Sequence, residues 1–357
     1  MAYTTIDDPT IYFDTLLYSG NGSNPRTLTG LNFQPDWVWL KNRTDNNGHT
    51  LADAVRGANK TLSSDGTGAE QTDKSDGHLD AFTSDGFTVG AGSGGDARVN
   101  DGSNTYVAWN WKAGTTSGIS GSPSITPSGY SFSQTAGFSI IAYTGNASVG
   151  ATIPHGLGVA PALIIFKNRD SSVKWVVYHH KAATSSPEDV HLQLNSTAAV
   201  SNDDSILNDT APGNSVITMK TSSSVNSNGV KYIAYCFSEI KGYSKMGAYR
   251  GTSGNSFIYT GFKPAFLLVK SNSYSSGNWR IYDNKRSTSG FNVIDDSLRP
   301  NTSATEIDET SVDFLSNGFK YRANVTDADS GGTDYIYYAV AESPFVNSAG
   351  AVPTNAR

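Results

Sequence analysis

The chain has 357 residues, of which 16% are charged and 36 are glycine, with 32 acidic residues against 26 basic ones. Its length supports two to four domains, and its low charge and high glycine content exclude a helical bundle or coiled coil. The excess of acid, with no Lys/Arg cluster to neutralise a run of phosphates, argues against nucleic acid as a partner. A single cysteine, Cys236, permits neither an internal disulfide nor a thiolate-rich metal site, and its neighbours Tyr235 and Phe237 mark it as a small buried residue. The N-terminus MAYTTIDDPT lacks the basic and apolar regions of an export leader, and no long apolar run follows. The expectation is synthesis in a reducing cytoplasm and no membrane insertion.

In chain order, polar residues 1–11 read as an N-terminal arm. The segment TLTGLNFQPDWVWLKNR, from Thr27, then places a turn, a proline and an apolar run ahead of Lys41. The same grammar returns in TIPHGLGVAPALIIFKNR, ending just past Lys167, and in FIYTGFKPAFLLVKSN, ending past Lys270. In each the proline (Pro35, Pro161, Pro264) precedes its lysine by the same spacing, so one strand is written three times. Downstream, Leu62, Leu192 and Leu298 are each followed by a polar turn residue, Asp65, Asn195 or Asn301. A further strand follows at Gly86–Val89, Val216–Met219 and Gly318–Lys320, and then an aromatic run containing alanine: YVAW from Tyr106, YIAY from Tyr232, and IYYA ending at Ala339. The alanines align Ala108, Ala234 and Ala339 as equivalents.

Short alternating runs separated by Gly, Asn, Asp and Ser clusters specify an all-β chain of three tandem antiparallel β-sandwich units, jelly-roll or concanavalin-like. The expected units are 12–114, 138–245 and 246–346, with a Gly/Ser/Pro linker at 115–137 and a C-terminal arm at 347–357. Units two and three, joined without a linker, are expected to pack as a tight pair.

The chemistry-bearing residues are sparse. No zinc-hydrolase histidine spacing, nucleophile elbow or phosphate-binding loop is present, so no catalytic residue, metal site or cofactor is expected and the chain is not read as an enzyme. Trp37 and Trp39 share one strand face, as do Trp109 and Trp111. Core packing is the expected role of these four, and a sugar-stacking platform is the alternative. Counting from the lysines, His49, Trp175 and Trp279 occupy one equivalent position, and four residues later come Asp53, His179 and Asp283. Arg56 and Arg286 follow the two aspartates, which predicts structural ion pairs Asp53–Arg56 and Asp283–Arg286. Asp327, Asp329 and Asp334, in DADSGGTD, form either a calcium loop lacking the usual terminal glutamate or an ordinary hairpin loop.

The phrases YSGNGSNPRTLTGLNFQPDWVWLKNR, AVRGANKTL, FTSDGFTVG, YVAWNWKAG, IYTGFKPAFLLVK, DFLSNGFKYR and the ending TNAR resemble a family of structural proteins in marine tailed bacteriophages, cyanophages among them. The resemblance runs from Tyr12 to Arg357. It implies a non-catalytic virion protein of the tail (fibre- or spike-like) or particle surface, made in the host cytoplasm and working through interfaces with other virion proteins. A homo-oligomer, trimeric by preference, and terminal docking arms are expected with it. The alternative is a receptor-binding module that recognises a host-surface glycan during attachment.

Overall fold

The three apolar runs that end in lysine form strands Trp37–Asn42, Leu163–Asn168 and Phe262–Ser271. They belong to a computed structural model that describes residues 3–287 and 292–351. Each lysine strand lies inside an antiparallel sheet, flanked on one side by an aromatic strand (Thr105–Trp111, Lys231–Phe237 or Asp334–Pro344). On its other side runs a short strand, Thr50–Asp53, Val176–His179 or Arg280–Asp283. Beyond the aromatic strand comes a fourth: Phe13–Ser19, Phe138–Thr144 or Ser244–Arg250. One strand order therefore recurs in each third of the chain. A smaller antiparallel sheet covers one face each time, made of three strands in the first unit, two in the second and four in the third. Among the described residues the only helical segments are the 3-10 turns Pro9–Ile11 and Pro187–Asp189.

The period-2 alternation of these strands decides the architecture. Val38, Leu40, Tyr106 and Ala108 point into the first sandwich, against Leu28, Leu79, Phe87 and Val89 of its covering sheet. The second and third units fill their own sandwiches in the same way, Cys236 lying in the second. The alternate residues leave these sandwiches altogether. Trp37, Trp39, Trp109 and Trp111 of the first unit meet Leu163, Ile165, Tyr235 and Phe237 of the second and Phe266, Leu268, Tyr338 and Val340 of the third in one shared core. Trp37 stacks on Tyr235 with ring centres 4.5 Å apart, and Trp111 packs against Phe266 at 5.4 Å. The runs WVWL, LIIF and FLLV are apolar without a break because both faces of each strand are buried.

Several expectations change. All three units meet round the shared core, so the second and third are not a separate pair. The register pairs Lys41 with Val107, Lys167 with Ile233 and Lys270 with Ile336, which makes Tyr337, not Ala339, the equivalent of Ala108 and Ala234. Residues 115–137 are no loose linker: Gly129–Ser133 is a strand paired with Phe138–Ala142, and Ala136 enters the shared core. The third sheet begins at Ser244, within the expected second unit. The N-terminal segment is not a free arm either. Thr4 and Pro9 are buried, Ile6 is 2% exposed in the shared core, and the Tyr3 hydroxyl donates to the Gly261 carbonyl at 2.8 Å. Of the expected C-terminal arm, residues 352–357 lie outside the described residues, and Ser348 donates its backbone N–H to the Asp7 carboxylate at 2.7 Å.

Because four tryptophans of the first unit have no cover within that unit, residues 12–114 expressed alone should fail to give a soluble folded domain. The whole chain should melt in a single calorimetric transition; three resolved transitions would contradict the shared core. Trp109→Ala, which empties the centre, should lower stability by about 3–5 kcal/mol in denaturant titration.

Candidate functional site

The polar residues singled out by the repeat converge on the seams between units. Asp65, Asn195 and Asn301 each accept, through Oδ1, the backbone N–H of His49, Trp175 and Trp279 respectively, at 2.8, 2.9 and 3.0 Å. Each ring so fixed then reaches into another unit. The Trp175 indole donates to the Ser63 carbonyl of the first unit at 3.0 Å, and the Trp279 indole to the Gln193 carbonyl of the second at 2.9 Å. His49 closes the circuit on Arg299 of the third at 3.1 Å. Because Trp39 donates to Nδ1 of His49 at 2.9 Å, the proton on that imidazole sits on Nε2, which donates to Arg299 as an indole would. The backbone repeats the pattern: Glu70 N–H to Arg169 carbonyl (2.8 Å), Val200 to Asn272 (3.0 Å) and Glu306 to Arg43 (2.9 Å).

The repeat lysines are fully buried. Lys167 donates to the carbonyls of Thr67 in the first unit and of Asn168 and Val173 in its own, and Lys270 to Thr197 and Ser271. Lys41 reaches Asn42 and Asp45. Burial pulls each of the three down to about 8.

Both expected ion pairs form, and all four side chains have zero exposure. They do more than brace their own units. The Asp53 carboxylate also accepts the Tyr235 hydroxyl of the second unit at 2.7 Å, and Asp283 accepts the Trp109 indole of the first at 2.9 Å. Arg56 continues to Glu70 at 3.1 Å, which Arg169 grips from across the seam, and Arg286 continues to Glu306 at 2.7 Å, which Arg43 grips likewise. Burial opposes the charge on Arg56 more than any one neighbour favours it, but Asp53, Tyr235 and Glu70 together outweigh burial and hold the guanidinium protonated. At the seam between second and third units His179, Ala182 and Val200 replace the acidic and basic residues, and the neutral His179 imidazole bonds to the Tyr337 carbonyl at 3.1 Å.

The four tryptophans are at most 2% exposed, which removes the sugar-stacking platform they offered in sequence. The three aspartates of DADSGGTD do not converge. Asp327 takes Arg280 and Asn278, Asp329 takes the N–H groups of Thr252 and Gly254, and Asp334 pairs with Arg250. Among the described residues no group of three His, Cys, Asp or Glu side chains is placed to hold a metal ion. Asp296, raised to about 6 by burial and then by Glu306, sits beside Arg43 and belongs to the same seam. Sequence reasoning missed the tyrosines that open the aromatic strands: Tyr106, Tyr232 and Tyr335 each accept an N–H five residues back and donate to a carbonyl nine residues back. Their common place at the head of each run was the available signal.

A family model described as a domain of unknown function, DUF7483, matches residues 8–344. The chain belongs to the DUF7483 family. Its match takes in all three sandwiches as one unit, in keeping with their shared core. No curated protein matches. Among solved structures, one titled "Crystal Structure of the STIV MCP" aligns over 92% of this chain and 95% of its own at 10% identity, with a TM-score of 0.19, a likeness too slight to bear on fold or function. Among the described residues no helix is long and apolar enough to cross a membrane.

Asp53→Ala strands Arg56 without its main partner and should cost about 3–5 kcal/mol in denaturant titration. The quadruple change Asp53→His, Arg56→Ala, Glu70→Val, Arg169→Asn copies the neutral seam, where Asn272 stands in the place of Arg169, and should cost less than that single change. Acid should also weaken the protein. Burial lowers His49 and His179 to about 3 and His155 and His191 to about 4, against 6.5 for an ordinary imidazole. Between those values the unfolded chain binds protons that the folded one does not, so stability falls as pH drops below about 6.5. His49→Gln should flatten the slope of melting temperature against pH in that window.

Proposed function

We propose that the protein is a non-catalytic structural component of a bacteriophage virion, on the tail or the particle surface, and that it acts through interfaces with other virion proteins and with copies of itself. The observation that carries this reading is the closed circuit of seams. Seven buried ionisable groups at equivalent positions of the repeat, Asp53, Arg56, Asp283, Arg286, Lys41, Lys167 and Lys270, are each tied to partners that join or brace the sandwiches. A chain that commits its charged interior to rigidity suits a scaffold. The phage-like phrases of the sequence point the same way. The N-terminal segment, built into the core through Ile6, is not free to act as a docking arm.

The test is to purify particles and look for the chain by mass spectrometry and by immunogold labelling. It should be present in fixed copy number and labelled on the tail or surface, and analytical ultracentrifugation of the isolated protein should show a trimer. Absence from particles, or release of reducing sugar from polysaccharide by the purified protein, would overturn the reading.

A further inference from the structure

The outer side of the fourth strand is treated differently in the second and third sheets. In the second unit, Gly129–Ser133 lies along Phe138–Ala142, with Gly129 against Val55 of the first unit. The equivalent seat in the third unit lies between Ser244–Arg250 and His180–Lys181 of the second, and no strand of the described residues fills it. It is a groove of about 520 Å³.

Alternation leaves the backbone groups of Ser244, Met246 and Ala248 facing outward along this edge. Ser244 is bonded to Ile240. At Met246, the N–H donates to the Glu239 carboxylate at 3.0 Å and the carbonyl accepts from His180 Nε2 at 2.8 Å. Ladder pairing is therefore blocked in the middle of the edge, and a peptide strand would have to break both bonds to add itself. Past the block the groove opens, with Ala248 exposed at its floor and Phe257 and Tyr259 on its wall, 48% and 50% exposed. Lys245 spans the wall, donating to the Tyr259 carbonyl at 2.8 Å. A second hollow of about 410 Å³ continues past Tyr259 towards Tyr3 and Lys241, sharing Glu239 and Lys245 with the first.

We propose that this two-lobed groove binds a saccharide of two or more sugar rings. The ligand class follows from the lining. The exposed Phe257 ring suits the C–H face of a pyranose, while the ammonium groups of Lys245 and Lys241, which lie over the Tyr259 and Tyr3 rings, stand beside a carboxylate acceptor, the mixture that vicinal hydroxyls, each donor and acceptor, can satisfy. Lys181, Lys241 and Lys245 outnumber Glu239, so the groove admits an acidic sugar as well as a neutral one; the charged groups disfavour a purely apolar ligand, and the blocked edge disfavours a peptide. The site does not depend on the virion role, and the two are read out separately.

The experiment uses the full chain and saturation-transfer NMR with cellobiose, maltose, laminaribiose, N,N′-diacetylchitobiose and digalacturonic acid at millimolar concentration, beside a soluble longer oligomer of each sugar. Transfer from at least one disaccharide or its longer oligomer is expected, and the stronger of the two tells whether a free sugar or a chain is the natural form. Phe257→Ala should weaken that binding about tenfold, as measured by calorimetry, with an unchanged melting temperature. Tyr274→Ala, which changes an exposed ring outside the groove, should leave it intact. The proposal is overturned by no transfer from any of these sugars, by binding that Phe257→Ala does not alter, or by a synthetic Ser-Gly-Tyr-Ser-Phe-Ser-Gln peptide that occupies the groove instead.

Discussion

Burying both faces of the large sheets is the constraint on which the rest of the structure depends. A sandwich of about a hundred residues ordinarily shields one face of each sheet and leaves the other to water. Here the second face carries Trp37, Trp39, Trp109 and Trp111 in one unit and Phe, Tyr, Leu, Ile and Val in the others, so each sandwich is finished only by its two neighbours. Aromatic rings bury large areas apiece and pack in tilted and edge-on contacts, which favours one mutual arrangement of the units over others. The N-terminal segment follows from the same demand, since Ile6 adds to that core.

An apolar centre does not by itself set the order of units round it, and the seams supply that specificity. Asp53 meeting Tyr235, Asp283 meeting Trp109 and His179 meeting the Tyr337 carbonyl are three solutions to one geometric problem. Two use charge and one does without. A buried ion pair gains little over a neutral isostere but is costly to break, so the charged seams act more as a check on correct docking than as a source of stability. The lysines work similarly, their ammonium groups held by carbonyls in place of carboxylates.

The local elements were legible in the sequence because strand alternation, turn residues and the proline-to-lysine spacing are short-range signals. The ion pairs were legible because Asp and Arg three residues apart recur in two copies. The shared core was not, because alternation separates two faces without saying what covers the second; the tryptophans were read correctly as sharing a face and could not be assigned a partner. Aligning on alanine misplaced the third aromatic strand by two residues, since Tyr337 fills the position alanine holds elsewhere. Gly129–Ser133 was hidden in composition that reads as linker, and its pairing partner begins only five residues after it ends.

Closing the circle joins the two ends of the chain in time as well as in space. The first and third units meet through His49 and Arg299, Arg43 and Glu306, and Trp109 and Asp283, contacts between residues 174 to 263 positions apart in the polypeptide. A ribosome releases the tryptophan face of the first unit long before Phe266 and Tyr338 exist to cover it. The nascent protein therefore carries a large sticky surface until its last strand emerges, and contacts this distant in sequence form slowly. Yield in the cell that makes it would then be governed by how well that waiting surface is guarded, by a chaperone or by fast synthesis of the remaining two thirds.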